Sequence, residues 1–189
     1  MSRQPDAVRG FLASVGVDPE VLVEFQYNPE EVTDKRSVTY ATLNAPGALG
    51  PVRQYTAGGD RTISFSVMVD GVLAEGAPGP GIARDTAGGI GPELAKYRAF
   101  VHPRTPRWAE AANRPDGFTG LYEGAERVFS APPTARFGFG ERVVDCVVTE
   151  VSVTEQLFTG SLAPLRATVQ VSLAELSPYA GDPQSGGAV

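Results

Sequence analysis

Residues 164 to 176, PLRATVQVSLAEL, keep a strict period of two: Leu165, Ala167, Val169, Val171 and Leu173 share one face, and Arg166, Thr168, Gln170 and Ser172 share the other. A helix repeats its apolar positions every three or four residues. An alternation this long therefore commits this end of the chain to a half-buried strand. The run RTISFSVMVDG, residues 61 to 71, repeats the arrangement with Ile63, Phe65, Val67 and Val69 opposite Thr62, Ser64, Ser66 and Met68, and ends at an Asp-Gly turn signal.

Shorter strand signals surround these two. In VEFQYNPEEV, residues 23 to 32, Val23, Phe25 and Tyr27 lie opposite Glu24 and Gln26, and Pro29 removes the donor that a continuing ladder needs. TARFGFG at 134 to 140 reads as a strand. RVVDCVVTEVSVTEQLF at 142 to 158, a turn around Thr159-Gly160-Ser161 and the run from 164 to 176 read as one long hairpin. One segment breaks the pattern: GPELAKYRAFVHP has Pro92 suited to a first helical turn, Leu94, Tyr97 and Val101 at helical spacing and Pro103 as a stop, which predicts a short helix.

The remaining segments are punctuation. Residues 1 to 20 carry a weak helical hint and read as an N-terminal extension. Residues 72 to 91 are rich in Gly and Pro and read as a flexible loop, 103 to 132 are irregular, and 177 to 189 read as a disordered tail. The expectation is a mainly β domain over residues 21 to 176, with two packed antiparallel sheets and one helix. At 189 residues and 42% hydrophobic the chain is long enough to bury a sizeable core.

Charge and composition exclude several partners. With 16 Lys and Arg against 22 Asp and Glu the formal charge is −6, so there is no basic footprint for nucleic acid and no polybasic membrane anchor. No apolar run approaches the ~20 residues of a membrane span or forms the core of a signal peptide, so the chain is expected to be made in the cytoplasm. A single cysteine and a single histidine fall short of a disulfide or a zinc-ligand set.

Chemistry-bearing residues are sparse. His102 sits between a helix end and Pro103, where a histidine capping the last carbonyls is the commoner arrangement than a general base. Asp145, Glu150 and Glu155 are spaced by five, which on a regular strand turns successive members to opposite faces. Cys146 lies among valines as a buried thiol, and the Gly-rich loop lacks the Lys-Ser/Thr of a phosphate cradle. Trp108 in its Pro-rich stretch is either a contact anchor or a packing residue. No catalytic residue, cofactor or metal is expected.

The order of these segments resembles the tube-domain proteins of contractile injection systems. The resemblance is carried by Phe25, Tyr27, Asn28, Pro29 and Glu30 in the first motif, by the GGDRTISFSVMVDG strand, and by Pro164, Leu165, Arg166, Ala167 and Val169 in the closing hairpin. It implies a phage-tail-tube fold, a split barrel or sandwich of two packed sheets, with six subunits closing a ring. Such rings form or initiate the inner tube beneath a sheath, and their partners are the tube protein, the spike and hub, and baseplate subunits, in a particle that is released or kept. Many members carry a C-terminal LysM domain that this sequence lacks, which directs the expectation to a tube initiator or tube-to-hub adaptor. Ser64, Ser66, Arg166, Thr168 and Gln170 would then face the lumen. The competing reading is a free-standing β-sandwich that binds a ligand or protein through the Trp108 to Tyr122 region.

Overall fold

The computed structural model describes residues 8–16, 20–43, 50–72, 81–103 and 131–176. Seven strands and one helix follow in the order β1 (Phe11–Ser14), β2 (Leu22–Glu24), β3 (Val32–Leu43), β4 (Val52–Asp70), α1 (Gly91–Ala99), β5 (Thr134–Phe139), β6 (Arg142–Phe158) and β7 (Pro164–Glu175). Mainly β with one short helix is the expected class. The strands join into one antiparallel sheet in the order β2-β1-β5-β6-β7-β4-β3, within which two packed layers are not set apart as distinct sheets.

That sheet curls. Phe25, just after β2, lies on one side of the strand order, and Phe65 of β4 lies far along it, yet their rings stand 5.3 Å apart. Phe65 stacks in turn on Phe137 of β5 at 4.9 Å. A flat sheet would hold these rings several strands apart, so the right-handed twist has folded the sheet's apolar face onto itself. One curled sheet thereby does the packing work of two layers.

Helix α1 closes the open side of the curl. Pro92 occupies its first turn, Glu93 lies at the positive end of its dipole, and Lys96 and Arg98 lie at the negative end. Leu94, Tyr97 and Phe100 are fully or almost fully buried with Ile90 just before them, while Val101 sits in the turn after the helix. Glu93 is buried and held by Lys96 Nζ at 2.9 Å and by the backbone N–H of Ala83 at 3.0 Å, which ties the incoming segment to the helix. Burial first, and then the Glu93 charge, push the Tyr97 hydroxyl pKa upward.

The N-terminal extension departs from its helical hint. Phe11–Ser14 is a strand wedged between β2 and β5, with Leu12 fully buried. Gly138 of β5 makes room for it: a Cβ there would lie 2.2 Å from the Phe11 ring. Of the expected flexible loop, residues 73–80 lie outside the described ones. Residues 81–90 run as coil, with Asp85 accepting from the N–H groups of Ala87 and Gly89 at 2.8 Å each. Residues 177–189 and Trp108 with its stretch also lie outside the described residues.

Candidate interaction surface

Strands β4, β7 and β6 carry the apolar and polar faces in register. Val67 pairs with Val169 and Val169 with Val153, while Ser66 pairs with Gln170 and Gln170 with Ser152. The apolar side is the core: Ile63, Phe65, Val67, Val69, Val169 and Val171 are each at most 5% exposed. The other side is a carpet of short polar groups in which Met68 pairs with Thr168, and Thr168 in turn with Thr154. Ser64, Ser66, Thr168 and Gln170 lie together on this side.

Arg166 belongs to the same side but is committed elsewhere. Its guanidinium reaches Asp70 Oδ2 through Nη2 at 2.6 Å and Nε at 3.0 Å, beside a carboxylate that is almost completely buried. Asp70 also receives Val72 N–H on Oδ1 at 2.8 Å. The pair closes the end of the β4–β7 ladder.

The residues that carried the family resemblance turn out to fasten crossovers. Asn28 accepts from Gly10 N–H through Oδ1 at 2.9 Å and donates Nδ2 to the Val8 carbonyl at 2.9 Å. Phe25 is buried, and its N–H reaches the Gly10 carbonyl at 2.9 Å; Pro29 is buried beside it. At the other motif, the Pro164 carbonyl accepts from Ile90 N–H at 2.8 Å and the Leu165 carbonyl from Gly71 N–H at 2.7 Å. Each motif thus pins another segment of the chain to a strand end.

A clasp that the sequence did not reveal is Gln26. Its side-chain amide donates to the Asp70 carbonyl at 2.9 Å and accepts from the Asp70 N–H at 2.7 Å, so it imitates the two-bond rung of an antiparallel pair. Nothing in the local pattern around Gln26 identifies a partner 44 residues away.

Beside the Gln26 clasp, the segment from Tyr27 to Glu31 overhangs the polar face and leaves a groove of about 610 Å³. Tyr27, Asn28, Glu30, Glu31, Met68 and Thr168 line it, and a shallower groove of about 400 Å³ continues past Ser64 and Ser172. Glu30 and Glu31 are exposed and have no ion-pair partner among the described residues.

The remaining titratable groups are structural. A β-bulge at Thr149 shifts the register of β6, so Asp145 and Glu150 fall on the same face, contrary to the alternation that strict spacing predicts. Asp145 is taken by Arg136 at 2.7 Å, and Glu155, on the opposite face, by Arg98 at 2.9 Å. Burial, with the Asp145 charge second, pushes the Cys146 thiol up to about 12, and its Sγ lies 3.4 Å from the Ala135 carbonyl. His102 is partly buried and its pKa is lowered, by desolvation first and then by Arg98. Among the described residues no group of three or more His, Cys, Asp or Glu could hold a metal ion.

Fold and surface together define a mainly β protein with a polar face, a groove and open sheet edges. The chain belongs to the contractile injection system tube protein family, whose sequence model matches residues 12–181. Among solved structures, a chain of the virion of a native gene transfer agent particle is similar at 10% identity, with a TM-score of 0.34 over 94% of this chain and 95% of that chain. No curated protein matches it.

Proposed function

We propose that copies of this chain close into a ring whose inner wall is the small-polar face, and that the ring starts the inner tube of the particle or joins that tube to the hub and spike of the baseplate. The observation that carries the reading is a pair of open edges on the four-stranded section β3-β4-β7-β6. Strand β3 ends the sheet, and β6 has a partner on its β5 side only up to Val147, so its stretch from Val148 to Phe158 is open on that side among the described residues.

Those edges suit each other. All neighbours in the section are antiparallel, so β3 and β6 run in opposite directions, and a copy rotated about an axis roughly along the strands brings its β3 antiparallel to the β6 of the previous copy. The open stretches are offset along the strands, which agrees with the stagger that tilted strands require for closure. Heterologous pairing repeated this way covers both open edges of the section.

With the family's six copies the wall would contain twenty-four strands at a spacing of about 4.8 Å, closing a cylinder roughly 45 Å across. Ser64, Ser66, Thr168 and Gln170, with Ser152 and Thr154, would then wet the lumen with short uncharged groups. The ring acts as a wall and not through catalysis. Its outer partners would be sheath-enclosed tube subunits on one side and baseplate subunits on the other, in a particle put together where the chain is made.

The experiment is ring size against salt for Ser66→Asp. The substitution adds one carboxylate per copy around a closed circle, so rings should weaken at low salt and recover at high salt as the Debye length falls from ~30 Å at 0.01 M to ~3 Å at 1 M. The monomer should stay folded, because Ser66 is exposed. Light scattering that finds only monomers of the unaltered chain, or rings indifferent to the added charge at both salts, removes the lumen assignment.

A further inference from the structure

One stretch of β4 lacks a strand neighbour on the side that faces β3. The β3–β4 ladder ends at Val32 opposite Phe65, and the Gln26 clasp sits opposite Asp70. Five residues, Tyr27 to Glu31, therefore run beside four, Ser66 to Val69, and none of the five belongs to a strand. Pro29, the middle of the five, has no N–H to give to β4. The ladder opens where that donor is missing.

The backbone groups left over can be assigned. Gly71 gives its N–H to the Leu165 carbonyl of β7, so by the alternation of an antiparallel strand Val69 and Val67 also turn their backbone groups toward β7, and Asp70, Met68 and Ser66 turn theirs away. Gln26 takes both groups of Asp70. The N–H and C=O of Met68 have no hydrogen-bond partner among the described residues. The groove under Tyr27 to Glu31 reaches this backbone, because Val67 lines it although the Val67 side chain is in the core.

Shape and charge select the occupant. The groove of about 610 Å³ and its shallower continuation of about 400 Å³ share Glu31 and Ser66 and together follow β4 from Met68 to Ser64. At about 3.3 Å per residue this trough holds roughly five extended residues, a shape for a strand and not for a compact small molecule. Tyr27 and Met68 supply apolar contact, and the exposed carboxylates of Glu30 and Glu31 have no ion-pair partner among the described residues. A Lys or Arg complements both, with its stem along Met68 and its head at the carboxylates. We infer that the groove is a recognition site for a short extended segment of another protein, which adds to β4 through the N–H and C=O of Met68 and sets a Lys or Arg beside Glu30 and Glu31. Backbone bonds fix the segment's register, and its alternate side chains meet the groove. The proposed ring would put this site on its inner wall; the binding does not depend on the ring.

The probe is a library of random heptapeptides selected on the immobilised full chain. The expected result is a several-fold enrichment of Lys or Arg next to an apolar residue. The selected peptides should bind several-fold more weakly to the double variant Glu30→Lys, Glu31→Lys, which is altered only at exposed positions, and selection repeated on that variant should favour Asp or Glu. Amide exchange locates the contact: in the free chain Met68 should exchange faster than Val67 and Val69, and added peptide should slow Met68. A library that yields no basic peptides, peptides indifferent to the two reversals, or a Met68 amide already slow in the free chain overturns the inference. So does protection that falls instead on the exposed two-stranded arm made by Val38–Leu43 of β3 and Val52–Gly58 of β4. Light scattering on the unaltered chain reads ring formation separately, so peptide binding by a chain that stays monomeric would count against the ring alone.

Discussion

Strand β4 lives in two environments. From Ile63 to Val69 every second side chain is buried against β7 and the aromatic cluster, whereas from Val52 to Gly58 both faces of the same strand are in water. The buried stretch is held by the hydrophobic effect and the exposed one by its backbone ladder with the Tyr40–Tyr55 ring contact. The contrast separates what makes this chain fold from what it presents once folded, and a substitution should therefore be read by which half it strikes.

The largest expected effect comes from a charge in the buried half. Val67→Asp places an unpaired carboxylate against Val169 and should cost about 4 kcal/mol or more, enough to unfold many domains. Circular dichroism and denaturant unfolding check it, and a folded Val67→Asp beside an unfolded Ser66→Asp would mean that the faces are reversed.

Cavity formation is next. Phe65→Ala removes a ring stacked on Phe137 and tilted against Phe25 and should cost about 3–5 kcal/mol, while Tyr55→Ala, in the exposed half, should stay within about 0.5–1 kcal/mol in the isolated chain. Urea midpoints of the two variants sharpen the comparison directly. Equal losses would show that the arm is folded into the core after all.

A smaller effect belongs to the clasps. Asn28→Ala frees the Gly10 N–H and the Val8 carbonyl and should cost about 1–2 kcal/mol, with faster amide exchange at Gly10 than elsewhere in the sheet. Uniform exchange after the substitution would mean that β1 is held without it.

The smallest concerns the junction between the two halves, where Arg61 links Asp34 at 2.6 Å and Glu175 at 3.0 Å. The hydrogen bond from Arg61 holds the Asp34 carboxyl below its ordinary value of 3.8, against a partial desolvation, with the charges of Arg61 and Arg142 adding to it. A lowered folded pKa contributes stability above the unfolded value and loses it as pH falls through the folded one. Since the pair is partly solvated, Asp34→Asn should cost no more than about 0.5–1 kcal/mol at neutral pH and nothing once the pH is well below the folded value. Thermal unfolding at pH 7 and pH 2 checks the sign.

The same contrast explains what could be read in the sequence. Residues 61–70 and 164–175 were legible because burial of one face forces apolar side chains into every second position. The arm strands, VTYATL and VRQYTAG, bury neither face, so no such constraint shaped them and their alternation is lost. Helix α1 was legible from Pro92 and the spacing of Leu94 and Tyr97. The polar face was legible as a pattern, since Ser64, Ser66, Thr168 and Gln170 are the strict complement of the core positions. The groove and the clasps were not: Gln26 with Asp70 and Asn28 with Val8 and Gly10 are contacts across the curl, set by tertiary closure. The bulge that brings Asp145 and Glu150 onto one face was equally hidden, because one inserted residue leaves no mark in composition.

The open β3 edge has a further consequence for the life of the chain before assembly. An unpaired strand is a template on which any extended peptide can zip, and a cell that makes many copies at once risks amorphous precipitate in place of ordered particles. Strand β3 carries its own brakes. Lys35 and Arg36 put adjacent positive charges on the edge, Arg36 faces Arg61 across the ladder, and two register irregularities, between Arg36 and Val38 and between Thr39 and Tyr40, keep the edge from being flat. A stray strand finds its hydrogen bonds interrupted at these irregularities and its charges opposed. Neutralising Lys35 and Arg36 should thus shorten the time a concentrated solution stays clear, a matter of solubility rather than of folding stability.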